Sequence, residues 1–566
     1  MNQWKVGQIN VKAAYTPAPA APAAGAPRSP AADALRLQEI QAAVQARDFP
    51  RAAAMAEAAW KSGLEHPMVL NLTALRCEQE GRFDDALAVL DRAIAVAPED
   101  IGARNARGLV LTRLERYAEA LATFDGVVAL MPEFAGAHCA RGASLEAMGK
   151  LREAEAAYRH ALELEPENLG ATQGVANLLS RRGAHAEARP LAEAVLEAEP
   201  NFPDAVMVLA AADAAEGHPE RAQARLEMLA GDERLTPHQR ALAQGQLGDV
   251  LDGQGRTEDA FAAYTACNMG LWRAYAPLHG ERAGALEFAR AMLTEMDNVP
   301  AEAWRTAPGP TPAGAPRVHV FLTGFPRSGT TLLEQVLAGH PDVVALEERE
   351  TLGDAQRAFQ MNPADVARLA YATEAELAPL REAYWGRVRA EGVDPAGKVF
   401  VDKHPLHTFR LPLILKLFPD AKILFARRDP RDVVLSCYRR RFAMSPSAYQ
   451  MLTLPGAAGY YDAAMSLAER LQPAMAGNTL VVSHERMVED FDATLREVCD
   501  TLGLAWSDTL RQFADHGRAA ATPSGAQLAR GLSAEGVGAW RRYADQMAAV
   551  MPTLAPWAAK FGYPAE

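Results

Sequence analysis

The chain has 566 residues, enough for roughly three or four domains that each bury a core. Its formal net charge of −13 excludes general attraction to nucleic acid or to an anionic membrane. The five cysteines are scattered without metal-ligand spacing, the N-terminus has no signal-like apolar core, and no run approaches the ~18–20 apolar residues of a membrane span, so a cytoplasmic protein with unpaired thiols is expected.

Residues 1–34 are rich in Ala and Pro, with little to bury, and are expected to form a disordered tail. From residue 35 the chain repeats itself. Pro98, Pro132, Pro166 and Pro200 stand 34 residues apart, and Ala52, Ala86, Ala120, Ala154, Ala188 and Ala222 keep the same interval. Gly149, Gly183 and Gly217 do too, with Gly81 in phase. Within one unit, Gly142, Gly149, Ala154, Tyr158, Ala161 and Pro166 supply small residues where two helices touch, a turn and a proline stop. This period resembles the tetratricopeptide repeat, which implies stacked helix pairs with a continuous core and an exposed concave face. Five or six repeats are expected over about 35–233, then a phase slip and one displaced unit at Gln254–Ala260 reaching to about Asn268. The face would hold a peptide or protein partner; a spacer or a self-association surface is the other reading. The helical region runs to residue 296, and Pro300, Pro308, Pro310, Pro312 and Pro316 make 297–317 a linker.

Residues 318–566 alternate between element types. Strands are expected at 318–323, 398–402, 422–427 and 479–483. Helices are expected at 331–339, 408–418, 432–442, 460–472 and 491–502. That order predicts an α/β domain with a parallel central sheet covered on both faces. Between its first strand and first helix lies Gly324-Phe325-Pro326-Arg327-Ser328-Gly329-Thr330-Thr331. Strand, glycine loop, helix is the setting in which backbone N–H groups cradle a phosphate. The glycine spacing matches a Walker A loop, but Thr330 stands where that motif has lysine, and the basic residue is Arg327. The loop should hold a phosphate without being an ordinary NTPase loop, which counts against an ATP-dependent kinase.

A second stretch, Ile423 to Ser436, ends a strand in Arg427-Arg428, turns at Asp429-Pro430 and begins a helix. Arg428 and the hydroxyl of Ser436 are placed to hold a second phosphate, because ligands of open α/β sheets sit at carboxyl ends of strands. Arg427 and Arg431 are neighbours able to share that work. Together the two stretches resemble the cofactor segments of the sulfotransferases, which use 3′-phosphoadenosine 5′-phosphosulfate (PAPS). The resemblance covers about 318–566 and is nearest the tyrosylprotein sulfotransferases. It implies that Arg327, Ser328, Gly329, Thr330 and Thr331 bind the 5′-phosphosulfate, and that Arg428 and Ser436 bind the 3′-phosphate. It also implies Glu348 as base, Lys403 as catalytic lysine, Ser524 near the reacting centre and Arg530 in a C-terminal cofactor loop. Asp402 departs from the family's Asn before the lysine, Gly531 stands where a proline is usual, and His484 replaces the tyrosine of a Tyr-Glu pair at a position read as structural.

Sulfonate transfer is an in-line displacement in which charge builds on a leaving phosphate oxygen, so cations such as Arg327 and Lys403 suit it. The acceptor hydroxyl must lose a proton, which a carboxylate within hydrogen-bond reach can take. No metal-ligand cluster is visible and no metal is expected. Glu347 and Glu350 are alternatives to Glu348, His404 is a rival base, and Arg439-Arg440-Arg441 is either a receiver of acidic substrate or a solvated helix end. The sequence thus reads as a PAPS-dependent sulfotransferase acting on a hydroxyl of protein tyrosine, glycan or small molecule; the alternative is a repeat scaffold with an inactive sulfotransferase domain.

Overall fold

The computed structural model describes residues 29–279, 284–306, 314–513, 532–534 and 536–565. They fall into two compact units, one from the described residues up to 180 with 184–212, the other from those beyond 212 with 181–183.

The first unit is built of helix pairs: α1 (Pro30–Gln45) with α2 (Phe49–Lys61), α3 (Pro67–Gln79) with α4 (Phe83–Val96), α5 (Ile101–Arg113) with α6 (Tyr117–Leu130), α7 (Ala135–Ala147) with α8 (Leu151–Leu164), and α9 (Leu169–Arg181) with α10 (His185–Ala198). A sixth pair, α11 (Pro203–Ala215) and α12 (Pro219–Gly231), begins in this unit and ends in the other. The small residues act as their spacing predicts. Ala52, Ala86, Ala120, Ala154 and Ala188 have no exposed surface, and a Cβ on Gly142 would lie 2.8 Å from the Tyr158 ring. The turns within pairs need a left-handed residue, supplied by Gly81 and Gly149 at φ 74° and 73°. One boundary differs from expectation. Helix α1 starts at Pro30, inside the segment expected to stay unstructured; proline at the first turn removes an N–H that would have no partner there.

In the second unit, α13 (Pro237–Gly253) and α14 (Thr257–His279) form the displaced pair, longer than the sequence pattern suggests, and α15 (Ala285–Met296) follows. The helical extension and residues 297–304 of the expected linker are not separate from the domain after them. Met292, Met296, Val299 and Trp304 share one hydrophobic core with Phe321, Phe400 and Ile423. That sheet core begins with apolar residues the proline pattern concealed.

The sheet has five parallel strands in the order β2-β3-β1-β4-β5: β1 (Val318–Thr323), β2 (Val343–Glu347), β3 (Val399–Lys403), β4 (Lys422–Arg427) and β5 (Thr479–Ser483). Alternate residues face two cores: Phe321, Phe400 and Ile423 on one side, Val320, Leu322, Val401 and Leu424 on the other. The glycine loop leads from β1 into α16 (Thr330–Ala338). Helices α17 (Gly353–Phe359), α18 (Pro363–Leu369) and α19 (Glu374–Ala390) join β2 to β3, and α20 (Leu411–Leu417) lies between β3 and β4. Helices α21 (Pro430–Tyr438), α22 (Pro446–Gln450) and α23 (Leu454–Met475) join β4 to β5. Strand β2 and the three helices after it were not among the expected elements. β2 is five residues long and runs straight into an acidic stretch, so its apolar signal is short. Register pairs Leu322 and Glu347 with Lys403, and Arg427 with Ser483. The segments after all five strands therefore emerge along one edge of the sheet.

Candidate active site

Two clusters lie along that edge. The first surrounds a cavity of about 760 Å³ whose walls include Arg327, Gly329, Thr330, Thr331, Arg428, Ser436, Arg440 and His484. The two segments that the sequence analysis expects to bind phosphate therefore meet in one place. Arg327 Nε donates to Ser436 Oγ at 3.0 Å, tying the loop to α21. Arg428 donates to the carbonyl oxygens of Arg327, at 3.4 Å, and of Gly536. Helix α16 begins here, and the first-turn amides of any helix lack partners within it, so they complement an anion. Two glycines make the loop possible. A Cβ on Gly324 would come 2.4 Å from the Ala426 carbonyl oxygen. Gly329 has φ 99°, and its Cβ would press 3.0 Å from His484 Nδ1. Arg327 itself adopts φ 71°, a costly conformation for a side-chain-bearing residue.

The cavity is cationic. Five arginines line it (Arg327, Arg428, Arg439, Arg440 and Arg542) against two aspartates, Asp252 and Asp432. Burial, then Arg440 and Arg428, push the Arg327 pKa down to about 9, so it stays charged at neutral pH. Burial and the same loop and strand-end arginines push His484 down to about 3, leaving a neutral imidazole. Buried Arg428 Nε and His484 Nδ1 have no hydrogen-bond partner among the described residues. Uncompensated buried donors and cations of this kind fit a ligand bearing several negative charges. Ser328 serves the loop instead: its Oγ accepts from the Phe325 N–H at 3.2 Å, and it does not line the cavity.

The second cluster pairs one cation with two carboxylates. Lys403 Nζ lies 2.8 Å from Glu348 Oε1 and 3.2 Å from Glu347 Oε1, and its side chain has no exposed surface. Burial alone would depress the ammonium; Glu348, Glu347 and Glu334 overcome it and hold its pKa above the usual range. Glu348 has φ 46°, and its N–H donates to the Lys403 carbonyl oxygen at 2.7 Å. Behind Lys403, buried Asp402 accepts from Thr351 at 2.7 Å and Tyr384 at 2.8 Å and lies 3.2 Å from His407 Nε2. This network ties the loop after β2 to β3.

Several expectations change. Lys403, expected at a leaving oxygen, is held by two carboxylates. His404 is a poor rival base: its Nδ1 accepts the Leu406 N–H at 3.1 Å, and burial holds it well below the usual imidazole range. Arg427 stacks over Phe561, and Arg431 is clamped by Asp429 and the carbonyls of Pro564 and Ala565, so neither shares the work of Arg428. The arginine run at 439–441 is not one solvated patch. Arg439 and Arg441 pair with Asp252 and Asp249, while Arg440 lines the cavity with no side-chain hydrogen bond or ion pair of its own among the described residues. His484, read as structural, is a cavity wall; its position directly after β5 was the available signal. Ser524 and Arg530 lie outside the described residues. Among the described residues no three His, Cys, Asp or Glu side chains gather as a metal site, and no helix is long and apolar enough to cross a membrane.

Residues 319–508 match the model of the Sulfotransferase family. Residues 37–101, 78–136, 135–168 and 179–247 match tetratricopeptide repeat models. An uncharacterized protein of Aquifex aeolicus is 26% identical over 246 residues, 42% of this chain and 32% of that one. Protein-tyrosine sulfotransferase 2 of Gallus gallus is 25% identical over 230 residues, 37% of this chain and 57% of that one. Protein-tyrosine sulfotransferase 1 of Mus musculus is 31% identical over 131 residues, 22% of this chain and 35% of that one. The chain thus spans between 32% and 57% of the length of these curated relatives. It carries tetratricopeptide repeats followed by a sulfotransferase-family domain.

Proposed function

We propose that the C-terminal domain moves a sulfonate group from PAPS to a hydroxyl acceptor, and that the repeats hold the acceptor or a partner. The observation that carries this is the cavity itself, where five arginines against two aspartates meet the start of α16 and two buried nitrogens lack partners among the described residues. A volume of about 760 Å³ suits a nucleotide-sized ligand. In this reading the loop amides, Thr330 and Thr331 hold the 5′-phosphosulfate. Arg428, Ser436 and Arg440 hold the 3′-phosphate. PAPS supplies the activated sulfonate, and the chain's own residues bind, orient and neutralise. Arg327 stands inside the loop, where a cation stabilises charge developing on the leaving oxygen. Glu348 takes the acceptor proton, and Lys403 orients the Glu348 carboxylate through their 2.8 Å contact. Ser524 and Arg530 complete the site in this proposal.

The acceptor is proposed as protein tyrosine, on the names of the relatives, with glycans and small hydroxyl compounds as the other classes. Five unpaired cysteines support a cytoplasmic location. One observation favours the second reading, a repeat scaffold with an inactive domain: the Lys403 ammonium is sealed by carboxylates. Calorimetric binding of 3′-phosphoadenosine 5′-phosphate, with 5′-AMP as control, tests the proposal. Preference for the 3′-phosphorylated ligand is expected, and Arg428→Ala should weaken it about ten- to hundredfold, or ~1.5–3 kcal/mol. Equal binding of 5′-AMP sinks the donor assignment.

A further inference from the structure

The hairpin of α13 and α14 belongs to the same unit as the cavity and is fastened to the end of α21 and the residues after it by buried and half-buried polar contacts. Asp249 pairs with Arg441 at 2.5 Å and accepts from Tyr264 at 3.0 Å. Asn268 donates to the Tyr438 carbonyl oxygen at 2.9 Å. Gly245 is required beneath Arg441, where a Cβ would lie 2.5 Å from the arginine side chain. Asp252, one turn beyond Asp249 on the same face, does something different: it lines the cavity.

Opposite it runs the segment 536–543, whose Gly536, Ala539 and Arg542 line the same cavity. This strap has no sheet or long helix to hold it; it ends in the short 3₁₀ turn Ala539–Tyr543. Besides the Arg428 bond to the Gly536 carbonyl and the buried rings of Trp540 and Tyr543, two carboxylates hold it. Asp432, on α21, accepts the Gly538 N–H at 2.7 Å and the Trp540 N–H at 2.9 Å. Asp252 accepts the Tyr543 hydroxyl at 2.6 Å and pairs with Arg542 at 3.1 Å. Asp252 also pairs with Arg439, whose guanidinium lies over the rings of Tyr264 and Tyr543.

We infer that Asp252 is a positioning residue: through Tyr543 and Arg542 it latches the strap 536–543 across the donor cavity, so the hairpin that follows the repeats is a working part of the transferase site. The inference rests on the donor reading of that cavity. Its sign separates it from simple electrostatics. Removing a carboxylate beside a cationic cavity, by charge alone, strengthens the binding of an anion. Removing a latch weakens it.

The test uses the full chain carrying Asp252→Asn, with Asp249→Asn as control. The control removes the same formal charge from the same helix without touching the strap, keeps an acceptor oxygen for Tyr264 and leaves the Asn268 bond to Tyr438 to fasten the hairpin. Asp252→Asn should weaken 3′-phosphoadenosine 5′-phosphate about fivefold or more, the scale of one or two lost hydrogen bonds, while Asp249→Asn leaves affinity unchanged or slightly tighter. Tyr543→Phe, which deletes one bond and keeps the ring, should lose about twofold in the same direction. Without ligand, amides of 536–543 should exchange hydrogen faster in Asp252→Asn and Tyr543→Phe than in Asp249→Asn. Tighter or unchanged binding by Asp252→Asn overturns the latch, as does an equal loss in Asp249→Asn. If the parent protein itself does not prefer the 3′-phosphorylated nucleotide, the donor reading fails, and the ligand-free exchange comparison alone decides the latch.

Discussion

Among the described residues four non-glycine residues have a left-handed backbone, and they divide evenly between two regions. Arg47 and Glu115, both at φ 58°, sit in turns of the repeats; Arg327 and Glu348, at 71° and 46°, sit in the loops after β1 and β2. The local cost is comparable, about 1–2 kcal/mol each. The reasons for bearing it differ. In the repeats the same phase is filled by glycine at Gly81, Gly149, Gly183 and Gly217, and at Gly81 and Gly183 a Cβ would meet nothing within 4 Å. The turn asks only for the conformation. At the sheet edge, glycine would deliver the conformation and delete the guanidinium beside Ser436 or the carboxylate beside Lys403. Strain marks chemistry where the side chain, and not the turn, accounts for the residue.

That contrast is most easily broken at Glu348. Replacing it by Gln keeps size and backbone and removes the proposed proton acceptor, so turnover with a tyrosyl peptide and labelled donor should fall about 10²–10⁴-fold. A loss below tenfold would shift the base to a neighbour and leave the Glu348 backbone strain without a functional account. Next in size is Arg327→Gly. It relieves the left-handed backbone and removes a buried cation pressed by Arg440 and Arg428. Thermal stability should hold or rise, while affinity for the 3′-phosphorylated nucleotide falls about ten- to hundredfold. A variant both less stable and fully able to bind would make Arg327 an ordinary structural residue.

Acid sharpens the same division. His319, His404 and His484 are buried in the C-terminal domain and pushed down from an ordinary 6.5 by burial first, His319 and His484 to about 3. Below pH 6.5 the unfolded chain binds protons that the folded domain refuses, so their stabilising effect is complete above that pH and lost as pH falls toward 3. Each histidine then costs about 1.4 kcal/mol per pH unit below about 6.5. Urea unfolding at pH values of about 7.5 and 5.5, with proteolytic fragments mapped, should show residues 318–565 weakening most. Equal weakening of the repeats would remove these buried histidines as the cause.

The repeat period, four of the five strands and the two segments that line the cavity were legible because each is a local pattern: a 34-residue interval, a short apolar run, a glycine loop before a helix. What stayed hidden depends on partners distant in sequence. Arg439 and Arg441 are distinguished from Arg440 by Asp252 and Asp249, nearly two hundred residues away. Lys403 was legible as a strand-end lysine, but its burial among Glu347, Glu348 and Glu334 requires β2, whose apolar run was too short to stand out. Trp304 lay behind a proline-rich stretch that reads as linker, although its indole sits in the sheet's core.

The smallest expected effect is the other half of the comparison. Glu115 is exposed, makes no side-chain hydrogen bond or ion pair among the described residues, and stands where four other repeats carry glycine. Glu115→Gly should remove about 1–2 kcal/mol of backbone strain. Glycine also enlarges the freedom of the unfolded chain, which returns about 0.4–1 kcal/mol. A net gain of about 0.5–1 kcal/mol is expected in urea unfolding, with nucleotide affinity unchanged. Arg47→Gly should behave alike. A loss of stability in both would mean that these side chains, like Arg327 and Glu348, hold contacts worth their strain, and the distinction between a turn that tolerates a residue and a site that requires one would fail at its simplest case.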